Sequence, residues 1–207
     1  MNITKAVEKY ISERPSIKDC LKRKMINYSS LSRQISGETG IRNFDAILIA
    51  CRRYVYKLKS EEVLEKRIIE VLKKSKIQVK NKIIAVVLEK TIYYNDIIEL
   101  EKEIKKNDET LHIMEGANAI TLVTSSDYLE SIKKLFKGQI IKVSKDLAEI
   151  NVKSPRELEN TPGVLAQMCS LFAERGINIV ESMSCWTDTL FVINENDVAK
   201  VMEALKF

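Results

Sequence analysis

Residues 159–180 read ENTPGVLAQMCSLFAERGINIV and combine a loop, a helix and the start of a strand. Pro162 and Gly163 are typical of a helix start, and Gly176 is typical of a helix end. Glycine at position 163 allows a ligand to approach the backbone closely. The free N–H groups and the positive dipole of a helix N-terminus favour a carboxylate, and Asn178 adds a hydrogen-bond donor and acceptor. The pattern predicts a binding site for an α-amino acid.

The residues around this stretch predict two passes through the same order of elements. The first pass has strands over 83–88, 110–115, 119–124 and 139–143, and helices over 94–106 and 127–137. The second has strands over 147–152, 177–184 and 189–194, and helices over 162–175 and 197–205. The order β-α-β-β-α-β defines the ferredoxin-like unit. We therefore predict an internal repeat of 64 residues, with the final edge strand of the second pass missing.

The N-terminal part has helical rather than strand periodicity. Helices are predicted over 3–13, from Pro15 onward, and over 27–38, 44–59 and 60–74, with Asn27, Asn43 and Ser60 as N-caps. The helices 27–38 and 44–59 are joined by a glycine-containing turn. Such a pair is typical of a helix-turn-helix, whose second helix enters the major groove of DNA.

Charge is distributed unevenly along the chain. Residues 1–82 contain 20 Lys and Arg against 9 Asp and Glu, whereas residues 83–207 contain 14 against 20. Because Lys and Arg neutralise phosphates, nucleic acid is a candidate partner of the basic part. The alternative is a solvated Lys-rich surface on a helical packing or dimerisation domain. The candidate nucleic-acid contacts are Ser29, Ser30, Ser32, Arg33, Arg42, Asn43, Arg52, Arg53 and Lys57.

The loop Asn160-Thr161-Pro162-Gly163-Val164-Leu165 and the later Gly176-Ile177-Asn178-Ile179 resemble the ACT domain, a small-molecule-sensing module of amino-acid metabolism. The resemblance is specific over 147–207, where the segment from Ser182 to Val192 looks like the hairpin of the aspartate-kinase type. Over 83–144 it is weak, because Thr91-Ile92-Tyr93-Tyr94 stands in place of the Pro-Gly loop. The resemblance therefore implies that the first repeat pairs with the second and does not bind ligand.

In the ACT family the effector lies at an interface between ACT units. Carried over by position, the implied effector contacts are Asn160, Thr161, Pro162, Gly163, Val164, Leu165, Asn178 and Ile179. The family often has an acidic residue in this loop, where the present chain has Asn160, so the effector need not be an ordinary amino acid. The alternative is an ACT fold that serves only dimerisation.

Several classes of function are not supported by the sequence. Neither metal-ligand spacing nor a nucleotide-binding glycine loop is found, and no histidine is paired with a nucleophile, so we expect no cofactor, no metal and no enzymatic activity. His112, the sole histidine, is expected to pack or to face solvent. Trp186 is expected in the core, and the alternative is a residue that covers a ligand. The absence of a bilayer-length apolar run and of a signal peptide predicts a cytoplasmic protein. Free, mostly buried thiols are predicted for Cys20, Cys51, Cys169 and Cys185.

The predicted fold class is α+β, with an all-α helix-turn-helix-like domain over 1–76 followed by tandem ferredoxin-like βαββαβ (ACT) domains. A degenerate ACT-like domain is expected over 77–145 and an ACT domain over 146–207. The preferred function is an amino-acid-responsive transcriptional regulator that forms a homodimer or higher oligomer through its ACT region. The effector would alter how two basic domains are spaced on DNA. The alternative is a non-catalytic regulatory subunit of an amino-acid biosynthetic enzyme.

Overall fold

A computed structural model describes residues 2–91 and 94–206, and the chain divides into two compact units, Met1–Arg67 and Ile68–Phe207. The first unit is helical, and the second contains all the described strands. The helices of the N-terminal part are α1 (Ile3–Ser12), α2 (Pro15–Lys22), α3 (Tyr28–Thr39) and α4 (Phe44–Lys74). Residues 68–74 at the end of α4 belong to the second unit.

The predicted caps of α3 and α4 are confirmed. The Asn27 side chain accepts hydrogen bonds from the backbone amides of Ser29 and Ser30, and the Asn43 side chain accepts one from Ala46. The predicted helix break at Ser60 is wrong, because α4 continues to Lys74. Residues 59–63 contain neither glycine nor proline, so nothing in this segment interrupts the hydrogen-bonded backbone.

The first unit packs around a core contributed by all four helices. Its fully buried side chains are Val7, Ile11, Leu21, Ile35, Ile47 and Cys51. Burial raises the pKa of the Cys51 thiol, while a hydrogen bond with Ser32 acts in the opposite direction. All four cysteines are free as predicted, but only Cys51 is buried, and Cys185 is exposed.

The second unit is a six-stranded antiparallel sheet with helices, in the order β2-β3-β1-β4-β6-β5. The strands are β1 (Lys76–Glu89), β2 (His112–Glu115), β3 (Ala119–Ser125), β4 (Ile140–Lys153), β5 (Ile179–Cys185) and β6 (Asp188–Asn194). The helices are α5 (Tyr94–Lys106), α6 (Leu129–Leu135), α7 (Val164–Glu174) and α8 (Val198–Ala204). Short 3-10 turns cover Ser126–Tyr128, Arg156–Asn160 and Glu195–Asp197.

Two strands are longer than predicted, and their extra length joins the repeats. A single β4 replaces the two strands predicted over 139–143 and 147–152, and β1 begins at Lys76 rather than at residue 83. Residues 76–80 pair with residues 149–153, beside the first strand of the second repeat. The second repeat has no strand of its own after α8 within the described residues, and residues 76–80 of β1 fill the sheet position where that edge strand would lie. The first half of β1 thus belongs to the sheet of the second repeat, and the first half of β4 belongs to the sheet of the first repeat.

The predicted repeat of 64 residues is visible in the structure. Residues 76–89 and 140–153 form equivalent strands whose second halves have the same pattern of burial. Lys82 and Asp146, which are 64 positions apart, both adopt left-handed backbone conformations with φ of 56° and 55°. The two repeats therefore share backbone geometry despite their different sequences.

Each repeat has its own apolar core between the sheet and its helices. In the second repeat, Phe172 and Phe191 are fully buried and pack edge to face, with ring centres 4.9 Å apart. Val71 and Leu72, near the end of α4, are buried in the same core. In the first repeat the core forms around Ile84, Leu88, Leu100, Ile104 and Phe136.

The opposite face of the sheet holds a contact between a histidine and a buried glutamate. His112 on β2 and Glu149 on β4 approach to 3.1 Å, and their side chains are 18% and 6% exposed. Two strands lie between them, so a flat sheet would separate the two backbones by about 14 Å. The curl of the sheet and the lengths of both side chains close this gap. The sole histidine therefore has a charged partner that sequence patterns did not reveal.

Candidate effector site

The loop before α7 is held by its own hydrogen bonds and by close packing. The Thr161 hydroxyl donates to the carbonyl of Glu157 at 2.7 Å, and Val164 is 1% exposed. Gly163 has a φ of 97°, which favours glycine. A Cβ at this position would also lie 3.1 Å from Cδ1 of Ile68. The backbone conformation thus favours glycine at 163, and a larger residue would in addition require the Ile68 side chain to shift slightly.

This loop and the β5–β6 hairpin enclose a cavity of about 240 Å³. Four of the predicted effector contacts line it, namely Thr161, Gly163, Val164 and Leu165. Five further lining residues were not among the predicted contacts, namely Leu158, Glu159, Ser184, Trp186 and Thr189. We call this cavity the α7 pocket.

Trp186 forms the exposed apolar edge of the α7 pocket. Its side chain is 59% exposed, so the prediction that it is a core residue is wrong. Trp186 lies in a two-residue hairpin turn between β5 and β6. Its backbone has a φ of 53°, the left-handed conformation that tight hairpin turns of this kind require. The Arg156 guanidinium carbon lies 5.3 Å from the centre of the Trp186 ring. Together with the exposed Leu165, Trp186 presents apolar surface at the mouth of the pocket.

The pocket offers complementary polar groups at its other side. No side chain caps α7, so the amides of its first turn remain available to an acidic ligand. Glu159, which precedes Asn160, is exposed and places a carboxylate at the lining of the pocket. Asn160 and Pro162 are exposed neighbours that do not line the cavity. The combination can accept the carboxylate and the ammonium group of one small molecule.

Asn178 and Ile179 lie apart from this pocket. Asn178 is exposed just before β5, and Ile179 is half-buried and pairs with Ile193 on β6. Trp186 follows the other end of the seven-residue strand β5, about 26 Å from Asn178 at about 3.3 Å per residue. A single chain therefore does not bring the two predicted groups of contacts to one ligand.

The predicted nucleic-acid contacts differ in exposure. Ser30, Arg33, Arg42, Arg52 and Arg53 are exposed, and Ser29 is half-buried. Ser32 is fully buried and donates to the carbonyl of Tyr28, so the expectation that it faces outward is wrong. The Asn43 side chain is engaged as the cap of α4, and Lys57 forms an ion pair with Glu8.

Two general findings apply to residues 2–91 and 94–206. No group of three or more His, Cys, Asp or Glu side chains there is arranged to hold a metal ion. No helix in these ranges combines the length and apolar character needed to cross a membrane.

Of the first repeat's loop, Thr91 is exposed, whereas Ile92 and Tyr93 lie outside the described residues.

Comparison with known families identifies an ACT domain over residues 142–206. No curated protein matches the chain. Among solved structures, the regulatory subunit of aspartate kinase from Thermus flavus aligns with a TM-score of 0.50 at 13% identity, over 62% of this chain and 94% of that one. The aspartokinase alpha and beta subunits align with a TM-score of 0.50 at 10% identity, over 62% and 93%.

A full aspartate kinase from Clostridium acetobutylicum also aligns, with a TM-score of 0.49 and 14% identity. The alignment covers 62% of the present chain but only 33% of that kinase. At these identities the likeness concerns the fold. The family match shows an ACT domain over residues 142–206, and the two alignments with a TM-score of 0.50 show a similar fold.

Proposed function

We propose that the protein is a small-molecule-responsive regulator whose ACT domain binds an α-amino acid in the α7 pocket. The observation that carries this proposal is the uncapped start of α7 facing Glu159, Leu165 and Trp186 around one cavity. The helix amides would hold the ligand carboxylate, and Glu159 would hold its ammonium group. Leu165 and Trp186 would cover its side chain.

A homodimer would complete this site. Strand β5 is an edge strand of the sheet, so its outer backbone groups can pair with a second copy. Antiparallel pairing of two β5 strands around a two-fold axis would place Asn178 of one copy near Trp186 of the other. This arrangement would bring Asn178 of one copy to the α7 pocket of the other, although Asn178 and Trp186 lie about 26 Å apart along one chain.

Calorimetric titration of the full chain with each of the twenty amino acids tests the proposal. We expect one or a few to bind, and at 100 times its Kd a ligand should add about 2.7 kcal/mol to the free energy of unfolding. Trp186→Ala and Asn178→Ala should each weaken binding about tenfold, a loss of about 1.4 kcal/mol. Ile141→Ala removes a comparably exposed aliphatic side chain outside the pocket and should leave the affinity unchanged. If every amino acid that binds keeps its affinity in Trp186→Ala, the assignment of the pocket is refuted.

DNA binding by the helical unit is a second candidate function. Helices α2 and α3 are joined by a short turn in which Lys24 adopts a left-handed conformation with a φ of 59°. We propose α2 and α3 as the helix-turn-helix in place of the pair 27–38 and 44–59 predicted from the sequence, so that α3 would be the second helix. Ser30 and Arg33 are exposed near the start of α3, where a recognition helix contacts base edges. The excess of basic residues in 1–82 supports an anionic partner.

Gel-shift assays with a pool of random 30-base-pair duplexes test this second function. We expect retention that weakens steeply with salt, because phosphate contacts release counterions. Arg33→Ala should reduce the slope of log affinity against log salt by about one, if Arg33 contacts phosphate. Lys137→Ala changes an exposed lysine of the other unit and serves as the matched control. Salt-independent retention, or equal slopes for both variants, would count against the proposal.

The regulatory-subunit alternative predicts a different partner. The Thermus flavus structure is described as a regulatory subunit of aspartate kinase. If the present chain acts in the same way, affinity-tagged protein should recover one stoichiometric enzyme from its source, and the DNA assay should be negative. Identification of that enzyme by mass spectrometry distinguishes a regulatory subunit from a DNA-binding regulator.

A further inference from the structure

A second cavity lies where the two repeats meet, and it shares no residue with the α7 pocket. Its volume is about 390 Å³, within the range of small-ligand sites. Strand β1 contributes Lys82, Ile83 and Ile84, and strand β4 contributes Lys145 and Asp146. The remaining lining residues are Ser126, Leu129 and Glu195. We call it the central cavity.

Paired irregularities of the two long strands form the floor of this cavity. The regular pairing of β1 with β4 shifts between Lys80 and Ile83, and again between Ile83 and Ala85. Lys82 and Asp146, the two left-handed residues, lie in this irregular stretch on opposite strands. Bulges of this kind redirect side chains and are frequent beside functional sites. Both repeats carry the bulge, although their residues differ.

Four charged side chains line the central cavity without partners. Lys82, Lys145, Asp146 and Glu195 form no hydrogen bond or ion pair through their side chains within residues 2–91 and 94–206. By contrast, Lys133 and Lys200, on nearby elements of the same unit, are each paired with an acidic neighbour. Two lysines and two acidic residues, all four of them exposed, thus line one cavity without pairing with each other.

This set of charges selects the chemical class of a ligand. A phosphate-bearing ligand would be repelled by Asp146 and Glu195, and a metal cation would be repelled by Lys82 and Lys145. A zwitterion satisfies both signs, because its carboxylate meets a lysine and its ammonium group meets an acidic side chain. We propose that the central cavity is a binding site for a free α-amino acid, formed within one chain and separate from the α7 pocket.

Titration calorimetry of the full chain with each of the twenty amino acids tests this site. Lys82→Met and Glu195→Gln should each lower the affinity for one of these amino acids at least tenfold. Lys137→Met, at an exposed lysine outside the cavity, should leave that affinity unchanged. The same amino acid should keep its affinity in Trp186→Ala. Its 2-hydroxy-acid analogue and its decarboxylated amine should both fail to bind, because each lacks one charge.

The outcomes separate this inference from the proposed function. Binding that is lost in the central-cavity variants but kept in Trp186→Ala supports the central site. Binding that is lost only in Trp186→Ala overturns the central site and leaves the α7 pocket assigned. The central site is also overturned if the decarboxylated amine binds as tightly as the amino acid, or if none of the twenty amino acids binds.

Discussion

Replacement of His112 by alanine is expected to lower the free energy of unfolding by about 3 to 5 kcal/mol. Glu149 is almost fully buried, and His112 Nε2 lies 3.1 Å from its carboxylate. Removal of the imidazole leaves the buried carboxylate without its side-chain hydrogen-bond partner, and the cost of desolvating the carboxylate is then not offset. Urea denaturation followed by circular dichroism measures the loss.

An exposed ion pair in the same unit provides the matched control. Lys133 pairs with Glu130 at 2.7 Å, and their side chains are 46% and 81% exposed. Lys133→Ala should therefore cost less than about 1 kcal/mol, as is usual for pairs in water. The double variant His112→Ala/Glu149→Ala should cost less than the sum of its single variants. If His112→Ala is no more damaging than Lys133→Ala, the buried pair is not formed in solution.

Removal of residues 1–82 is expected to abolish cooperative folding of the remaining chain. This truncation deletes residues 76–80, which pair with residues 149–153, and it also deletes Val71 and Leu72 from the second core. Burial of a Val or Leu side chain contributes about 1.5 to 3 kcal/mol, and Ile68, Ile77 and Val79 also contact this core. The combined loss is comparable with the whole stability of a domain, about 5 to 15 kcal/mol.

A longer fragment, 68–207, retains these elements and should show one cooperative thermal transition. Comparison of the two fragments by calorimetry isolates the role of residues 68–82. A cooperative transition in the fragment 83–207 would show that the second repeat folds without the strand supplied by β1. The interlocked arrangement of the repeats would then be unnecessary for stability.

Local signals in the sequence predicted the repeat, the caps and the loop before α7. Asn27 and Asn43 cap helices as expected, and Gly163 opens α7. The extents of β1 and β4 were not predicted, because they depend on pairing between residues about 70 positions apart. Lys76–Lys80 does alternate polar and apolar residues, but it directly follows a helix and its partner strand is distant in sequence.

The candidate site was half predicted for a similar reason. The loop residues Thr161 to Leu165 are contiguous and carry a recognisable pattern. The hairpin residues Ser184, Trp186 and Thr189 join them only through folding. Trp186 was assigned to the core because large aromatic residues usually are buried, whereas a tight turn holds it at the surface. The exposed Trp186 side chain lines the α7 pocket.

The emission of Trp186 provides the most direct measurement of the proposed effector site. It is the sole tryptophan of the chain and lines the α7 pocket, so its fluorescence reports on that pocket without added label. We predict that the amino acid bound in the pocket changes this emission saturably, with a midpoint equal to its calorimetric Kd. If none of the twenty amino acids alters Trp186 emission at saturating concentration, the α7 pocket is not an amino-acid effector site.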